Sequence, residues 1–254
     1  IKDIIKIRHR VKEVKNRYYM NSHSRFNIYY LWAKSVIKIN YLKLWNPFEM
    51  NPSMDSERYF LFPLHTLHEW VYYNLMGPMY PNMLYEIEKC AACLPIGYKL
   101  YVKEHPSNFG EKNISFYQSL KKIRNVRLIP HNASNSSIMT KSEGVITLGS
   151  SMGWEAFLLG KVVIVLADIW YKDLPGVYRP KSTEDLAKLL QDSFHLPLAT
   201  EEEKIKVLYF LFESSFKAAL YPVAELRSKE NVDEFAKSFN NKLKELNNGN
   251  NYVK

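Results

Sequence analysis

Short apolar runs alternate with amphipathic stretches through the middle of this chain, and that rhythm predicts strands and helices in turn. Val145 to Leu148 reads as a buried strand, Gly149, Ser150 and Ser151 as a small-residue turn, Met152 to about Leu159 as a helix, and Val162 to Leu166 as a second buried strand. Upstream, Tyr59 to Phe62 predicts an aromatic strand ending at Pro63, Pro81 to Leu94 a helix, and Lys99 to Lys103 a strand. Glu111 to Ile123 (helix), Val126 to Ile129 (strand) and Ser134 to Lys141 (short helix) follow. Thr183 to Phe194, Glu201 to Ala219 and Ser228 to Leu246 then carry helical patterns with no strand between them. Strands alternating with helices at this spacing predict an α/β fold: a Rossmann-like parallel sheet with helices on both faces.

Residues 1 to about 45 read as two helices broken near Asn21-Ser22-His23-Ser24, and the Pro/Asn/Ser/Asp-rich stretch from Asn46 to Glu57 as a linker. The predicted division is a basic helical segment with its linker (1–57), the sheet domain (58–182) and a C-terminal helical segment (183–254). Charge sharpens it. Residues 1–45 hold 11 Lys/Arg against 2 Asp/Glu, which accounts for the whole net charge of +9. Aromatics are interleaved with those cations (Tyr18, Tyr19, Phe26, Tyr29, Tyr30, Trp32). Such a segment fits a helix pair packed on the rest of the chain, or an anionic membrane surface. Nucleic acid is not expected, because no nucleic-acid motif accompanies the charge. The 46% apolar and 24% charged content is that of a soluble globular protein, and no apolar run reaches membrane-spanning length. With two cysteines in 254 residues and no visible signal peptide, a cytoplasmic location is expected.

The turn at Gly149-Ser150-Ser151 carries the clearest candidate chemistry. A strand feeding a small-residue turn into a helix is expected to leave N–H groups and hydroxyls at the positive end of the helix dipole, where a phosphate binds. Glu155 follows Ser151 by four residues and shares its side of the helix, where a carboxylate suits ribose hydroxyls. The alternative is an ordinary crossover with a Ser N-cap and a surface Glu. Ligands of open parallel sheets bind beyond the C-terminal strand ends. Those ends deliver His65 with Glu69 four residues on, then Lys103, Glu104, His105 and Pro106, then Pro130 and His131, then Gly149 to Ser151, and finally Asp168 and Tyr171. Pro106 restricts the backbone of His105 and so fixes where its ring points.

Other chemistries find less footing. Cys90 and Cys93 lack the second cysteine pair of a structural zinc site and close a helix, which suits two small buried residues. His65-Thr66-Leu67-His68-Glu69 is not a zinc-binding H-E-x-x-H helix, so no metal is expected. Walker-type, dinucleotide-type and G-x-S-x-G signatures are absent from the sequence.

Phe60 to Trp70, Leu94 to Pro106, Phe116 to Leu120, Asn125 to Pro130 and the stretch around Gly149 occur in the order and spacing of a known family. Over about residues 58–182 the chain resembles the capsule and surface polysaccharide biosynthesis proteins. It looks like their retaining Kdo transferases and, more distantly, bacterial sialyltransferases with "HP" and "SS" motifs. The resemblance implies a GT-B glycosyltransferase whose C-terminal domain holds a nucleotide sugar, typically a CMP-activated sugar such as CMP-Kdo, with no cofactor and a glycan or glycolipid acceptor. Carried over, His105, Ser150 and Ser151 contact the donor phosphate and Glu155 the ribose. Lys103, Gly149, His65 and Glu69 join the substrate-binding set, although the family often has Gln where this chain has His65. The resemblance assigns no catalytic residue. Only about 57 residues precede the first strand, too few for a second Rossmann-like domain, so the chain is expected to be a fragment or a binding half without its own catalytic base. A non-catalytic scaffold subunit of a polysaccharide assembly complex and a GT-B-type UDP-sugar epimerase are the alternative functions.

Overall fold

The computed structural model describes residues 25–49, 56–65, 82–105, 109, 112–214 and 228–248. Two compact units divide the chain, residues 1–199 and 200–254. In the first, six strands make one parallel sheet: β1 (Tyr59–Pro63), β2 (Lys99–Lys103), β3 (Val126–Ile129), β4 (Gly144–Thr147), β5 (Val162–Val165) and β6 (Val177–Tyr178). Their order is β3-β2-β1-β4-β5-β6, the doubly wound Rossmann arrangement, with its switch point between β1 and β4. The two-residue β6 was not predicted.

Both faces of the sheet are covered, as continuous apolar strands such as Y-F-L-F and V-V-I-V require. Side chains alternate between the faces. Phe60, Phe62, Leu100, Val102, Leu128, Ile146, Val162 and Ile164 enter one core with Ile87 and Cys90 of α2 (Met83–Cys93), Tyr117 and Leu120 of α3 (Ile114–Lys122), and Leu186 and Leu190 of α6 (Thr183–Gln191). Tyr59 and Tyr101 point the other way and stack at 3.8 Å, and the Tyr59 hydroxyl donates to the Ile138 carbonyl of α4 (Asn135–Lys141). On that side α5 (Ser151–Leu158) lies along β4 and β5, burying Ala156 and Phe157. Polar caps start the helices. Asn82 accepts the Leu84 and Tyr85 N–H groups, Ser134 that of Ser137, and Ser182 that of Asp185.

The ladder at the switch point is short. Five register pairs join β1 to β2, but only Phe60↔Gly144 and Leu61↔Val145 join β1 to β4. Odd-numbered residues of β1 turn their backbone groups towards β4, as the Glu143 N–H to Tyr59 carbonyl bond shows, and even-numbered ones turn towards β2. Pro63 therefore faces β4 without an N–H to donate.

Two predicted boundaries move. Residues 46–49 are not a free linker. Helix α1 (Arg25–Trp45) ends with Asn46 in the left-handed region at φ 43°, and Phe48 then packs between Phe109 and Tyr117. The Glu49 N–H donates to the Leu128 carbonyl at 2.8 Å along the outer side of β3. Leu42 of α1 is fully buried in the same core. At the other end the first unit runs on to Ala199, because Leu186 and Leu190 fill the sheet core and the Tyr178 hydroxyl donates to the Pro197 carbonyl. The predicted helix within residues 1–20 lies outside the described residues.

The second unit contains α7 (Glu201–Ser214) and α8 (Lys229–Asn248). Thr200 and Glu203 close a reciprocal capping box at the start of α7, with bonds of 2.8 and 3.2 Å.

Candidate functional site

The turn after β4 differs in detail from the expected open cradle. Thr147, the last residue of the strand, turns its hydroxyl oxygen back to accept the N–H groups of both Gly149 (3.0 Å) and Ser150 (2.8 Å). Gly149 takes φ 135°, a conformation that L side chains rarely adopt. Ser150 is the N-cap of α5: its Oγ accepts the Met152 N–H at 3.2 Å, and its carbonyl accepts the Gly153 N–H at 3.0 Å and the Tyr171 hydroxyl at 2.6 Å. Most of the expected free amides are thus already in use. What remains for an anion is the Ser151 N–H, which no described residue takes up, the hydroxyl protons of Ser150 and Ser151, and the helix dipole. Ser151 and Glu155 are both exposed, one turn apart, as predicted from their spacing.

Gly153 permits the close packing behind this turn. A Cβ there would stand 2.5 Å from the Tyr171 hydroxyl and 2.9 Å from Cγ2 of Thr147. Tyr171 is buried, and burial pushes its phenol well above the ordinary range.

A buried ionic knot closes the ends of β1 to β3. The side chain of Glu104 is wholly buried and accepts from Lys112 Nζ (3.2 Å), the Tyr117 hydroxyl and the amide of His105 (2.9 Å). Lys112 Nζ also donates to the carbonyl of His65 at 3.3 Å, so one ammonium joins the chain after β1 to the chain after β2. Lys103 is buried too. Its Nζ donates to the His131 carbonyl at 3.3 Å, and burial lowers its pKa while Glu104 opposes the shift. The His131 ring lies 4.5 Å from that of Phe109, and its pKa is lowered, chiefly by desolvation.

Of the predicted residues, then, Lys103 and His65 are buried, with Lys103 Nζ and the His65 carbonyl engaged by the protein itself. His105, Gly149 and Ser150 are partly exposed along the C-terminal edge, and Ser151 and Glu155 are exposed there. Glu69 lies outside the described residues. Sequence reasoning named Glu104 without a role and missed Lys112, Tyr117 and Thr147. It named Asp168 but missed the cations around it, Lys172, with which it pairs, and Arg179, 3.9 Å away. Lys172 and Arg179 hold the exposed Asp168 carboxyl below its ordinary range. Cys90 and Cys93 are buried on α2, and burial pushes both thiols up. Among the described residues no three His, Cys, Asp or Glu side chains are grouped as metal ligands.

The family model described as "Capsule polysaccharide biosynthesis protein" matches residues 8–238. Two solved structures from Thermosulfurimonas dismutans are similar. One is KpsC, beta Kdo 2,7 transferase, at a TM-score of 0.40 and 15% identity, covering 79% of this chain and 67% of that one. The other is KpsC, beta Kdo 2,4 transferase, at 0.40 and 15%, covering 74% and 64%. This chain thus spans about two thirds of the length of each. No curated protein matches it.

Proposed function

The chain belongs to the capsule polysaccharide biosynthesis protein family, and from that footing we propose that its sheet unit is the nucleotide-sugar-binding half of a GT-B glycosyltransferase in capsule synthesis. One observation carries the reading. At the C-terminal edge of a 3-2-1-4-5-6 sheet, Ser150 and Ser151 open a helix with an unused amide and two hydroxyls, and Glu155 stands exposed one turn on. The donor phosphate lies between this turn and His105, the ribose hydroxyls face Glu155, and no metal or other cofactor is called for. The K-E-H-P and G-S-S segments resemble the family's "HP" and "SS" motifs, which supports a CMP-activated sugar such as CMP-Kdo as donor and a glycan or glycolipid as acceptor. The same reading puts the protein in the cytoplasm, at the inner membrane face. No described helix is long and apolar enough to cross a membrane. Helix α1 exposes Ile37, Tyr41 and Leu44 at helical spacing beside Lys34 and Lys43, a surface suited to anionic lipid.

Calorimetric titration of the chain with CMP and UDP tests the site. A hydrogen bond to a charged acceptor contributes roughly 1.5–3 kcal/mol, so His105→Ala weakens CMP binding by about tenfold to a hundredfold. Glu155→Gln has a smaller effect, and it falls on the preference for ribose over deoxyribose nucleotide. Unchanged CMP affinity in His105→Ala overturns the site. Donor hydrolysis or transfer by the full-length protein supports the enzyme. Nucleotide binding without turnover points to a scaffold subunit, and preference for UDP to an epimerase.

A further inference from the structure

Strand β2 passes its geometry on to His105 through two consecutive peptide units. The first carries the Lys103 carbonyl, which accepts the Leu64 N–H at 2.9 Å, and the Glu104 N–H, which donates to the Ile129 carbonyl at 3.0 Å. It is therefore bonded to both neighbouring chains. The second carries the His105 N–H, and its acceptor is a side chain, Oε1 of Glu104, at 2.9 Å. A planar peptide unit held at its N–H has little freedom to turn. Pro106 restricts the backbone of His105 from the other side.

The acceptor is itself immobilised. The Glu104 side chain has no exposure to water. Its Oε1 also accepts from Lys112 Nζ at 3.2 Å and its Oε2 from the Tyr117 hydroxyl, so donors on both oxygens set the plane of the carboxylate. Lys112 Nζ ties the group to the His65 carbonyl at 3.3 Å, and Tyr117 ties it to the core, where its ring is fully buried. An ion pair this deep adds little stability, because apolar residues of similar volume often do as well or better. What a carboxylate offers, and an apolar residue does not, is a charged acceptor for the amide beside it.

We propose that Glu104 is a positioning residue: acting through the amide of His105, it sets where that ring stands at the C-terminal edge, and it touches no ligand itself. Lys112 and Tyr117 hold the carboxylate that does so. The inference rests on the nucleotide reading in that a phosphate placed against His105 is what the aim serves. It goes beyond that reading in giving K-E-H-P two functional residues with different tasks, contact for His105 and aim for Glu104.

Two double variants isolate the acceptor. Glu104→Gln with Lys112→Met and Glu104→Leu with Lys112→Met both lack the ion pair, and only the first keeps a side-chain oxygen for the His105 amide. Calorimetry with CMP finds the glutamine variant within about twofold of the parent. The leucine variant binds about threefold to tenfold more weakly, the scale of one amide hydrogen bond. In a His105→Ala background the two bind CMP alike, since the ring they aim is gone. Amide exchange, followed by NMR without ligand, finds the His105 N–H protected in the parent and the glutamine variant and unprotected in the leucine variant. A leucine loss that persists undiminished in His105→Ala overturns the proposal and makes Glu104 a prop for the whole edge. If the leucine variant does not fold, Glu104→Met with Lys112→Met takes its place, and an unprotected His105 N–H in the parent overturns the proposal by itself. Exchange that follows the variants in a chain that does not bind CMP upholds the aiming of His105 and removes the nucleotide reading. CMP binding that is equal in the two variants keeps the nucleotide reading and removes the positioning role.

Discussion

Tyr171 donates its hydroxyl to the carbonyl oxygen of Ser150 at 2.6 Å. A peptide unit is planar and trans, so the carbonyl of residue 150 and the N–H of residue 151 point in opposite directions. By fixing the one, Tyr171 aims the other. The unused amide of Ser151 is oriented from 20 residues down the chain.

Removing that hydroxyl tests the relationship. Tyr171→Phe lowers stability by about 0.5–1.5 kcal/mol and weakens CMP binding, because the Ser151 amide is no longer held. Gly153→Ala puts a methyl where the hydroxyl stands and costs about 1–3 kcal/mol. In the Tyr171→Phe background the alanine costs less, although Thr147 Cγ2 still lies 2.9 Å from the new Cβ. Chemical denaturation of the four proteins measures the coupling. Strict additivity would mean that the hydroxyl is not what limits residue 153.

Glu104 and Lys112 should behave as a buried pair. Glu104→Ala strands the Lys112 ammonium inside the protein and costs about 3–5 kcal/mol. Converting both together, Glu104→Leu with Lys112→Met, costs less than Glu104→Ala alone, since no charge is then left unpaired. Denaturant midpoints decide it. A double variant as unstable as the single one would show that Tyr117 and the His105 amide, not the ion pair, depend on the carboxylate.

His131 gives the fold a slope with pH. Desolvation depresses its folded-state pKa, Lys103 and Lys43 add to the effect, and Glu104 opposes it. The unfolded chain takes up its proton near about 6.5, before the folded protein does. Stability from this group is therefore present above that pH and is lost as the pH falls from it towards the lower folded value. Urea midpoints measured from neutral to mildly acid pH should decline, and less so in His131→Asn. An identical decline in the variant assigns the slope to other groups.

Helix α1 can be tested against lipid. Vesicles containing anionic lipid bind the chain, neutral vesicles do not, and raised salt releases it. Leu44→Ser with Ile37→Ser weakens sedimentation with anionic vesicles without unfolding the sheet, since both side chains are exposed. Retention unaffected by salt or by these changes would remove the membrane role.

Strands β2 and β3 were legible to the residue because short apolar-rich runs are bounded by Asn/Gly-type breaks before them and by Pro106 and Pro130 after them. Val177 and Tyr178 were not. Two half-buried residues have no period, so β6 and Arg179 at its end went unseen. Thr147 reads simply as the end of an apolar strand, and only the folded turn shows its hydroxyl filling two amides expected to be free. The burial of Glu104 is equally invisible in K-E-H-P, since it depends on Lys112 and Tyr117, 8 and 13 residues further on. Asn46 and Pro47 mark a turn correctly, but composition does not say whether a turn faces water, and Phe48 enters the core.

Pro63 leaves the sheet with a seam. Without a donor there, the backbone bonding between β1 and β4 stops after two pairs, and the sheet consists of two leaves, β3-β2-β1 and β4-β5-β6, stitched lightly along one line. A nucleotide bound as proposed would touch His105 on one leaf and Ser150 on the other, and so supply a cross-link that the backbone omits. Amide exchange at Leu61, whose N–H faces β4, then becomes a direct reporter of occupancy, slowing when the two leaves are pinned together and quickening when the ligand departs.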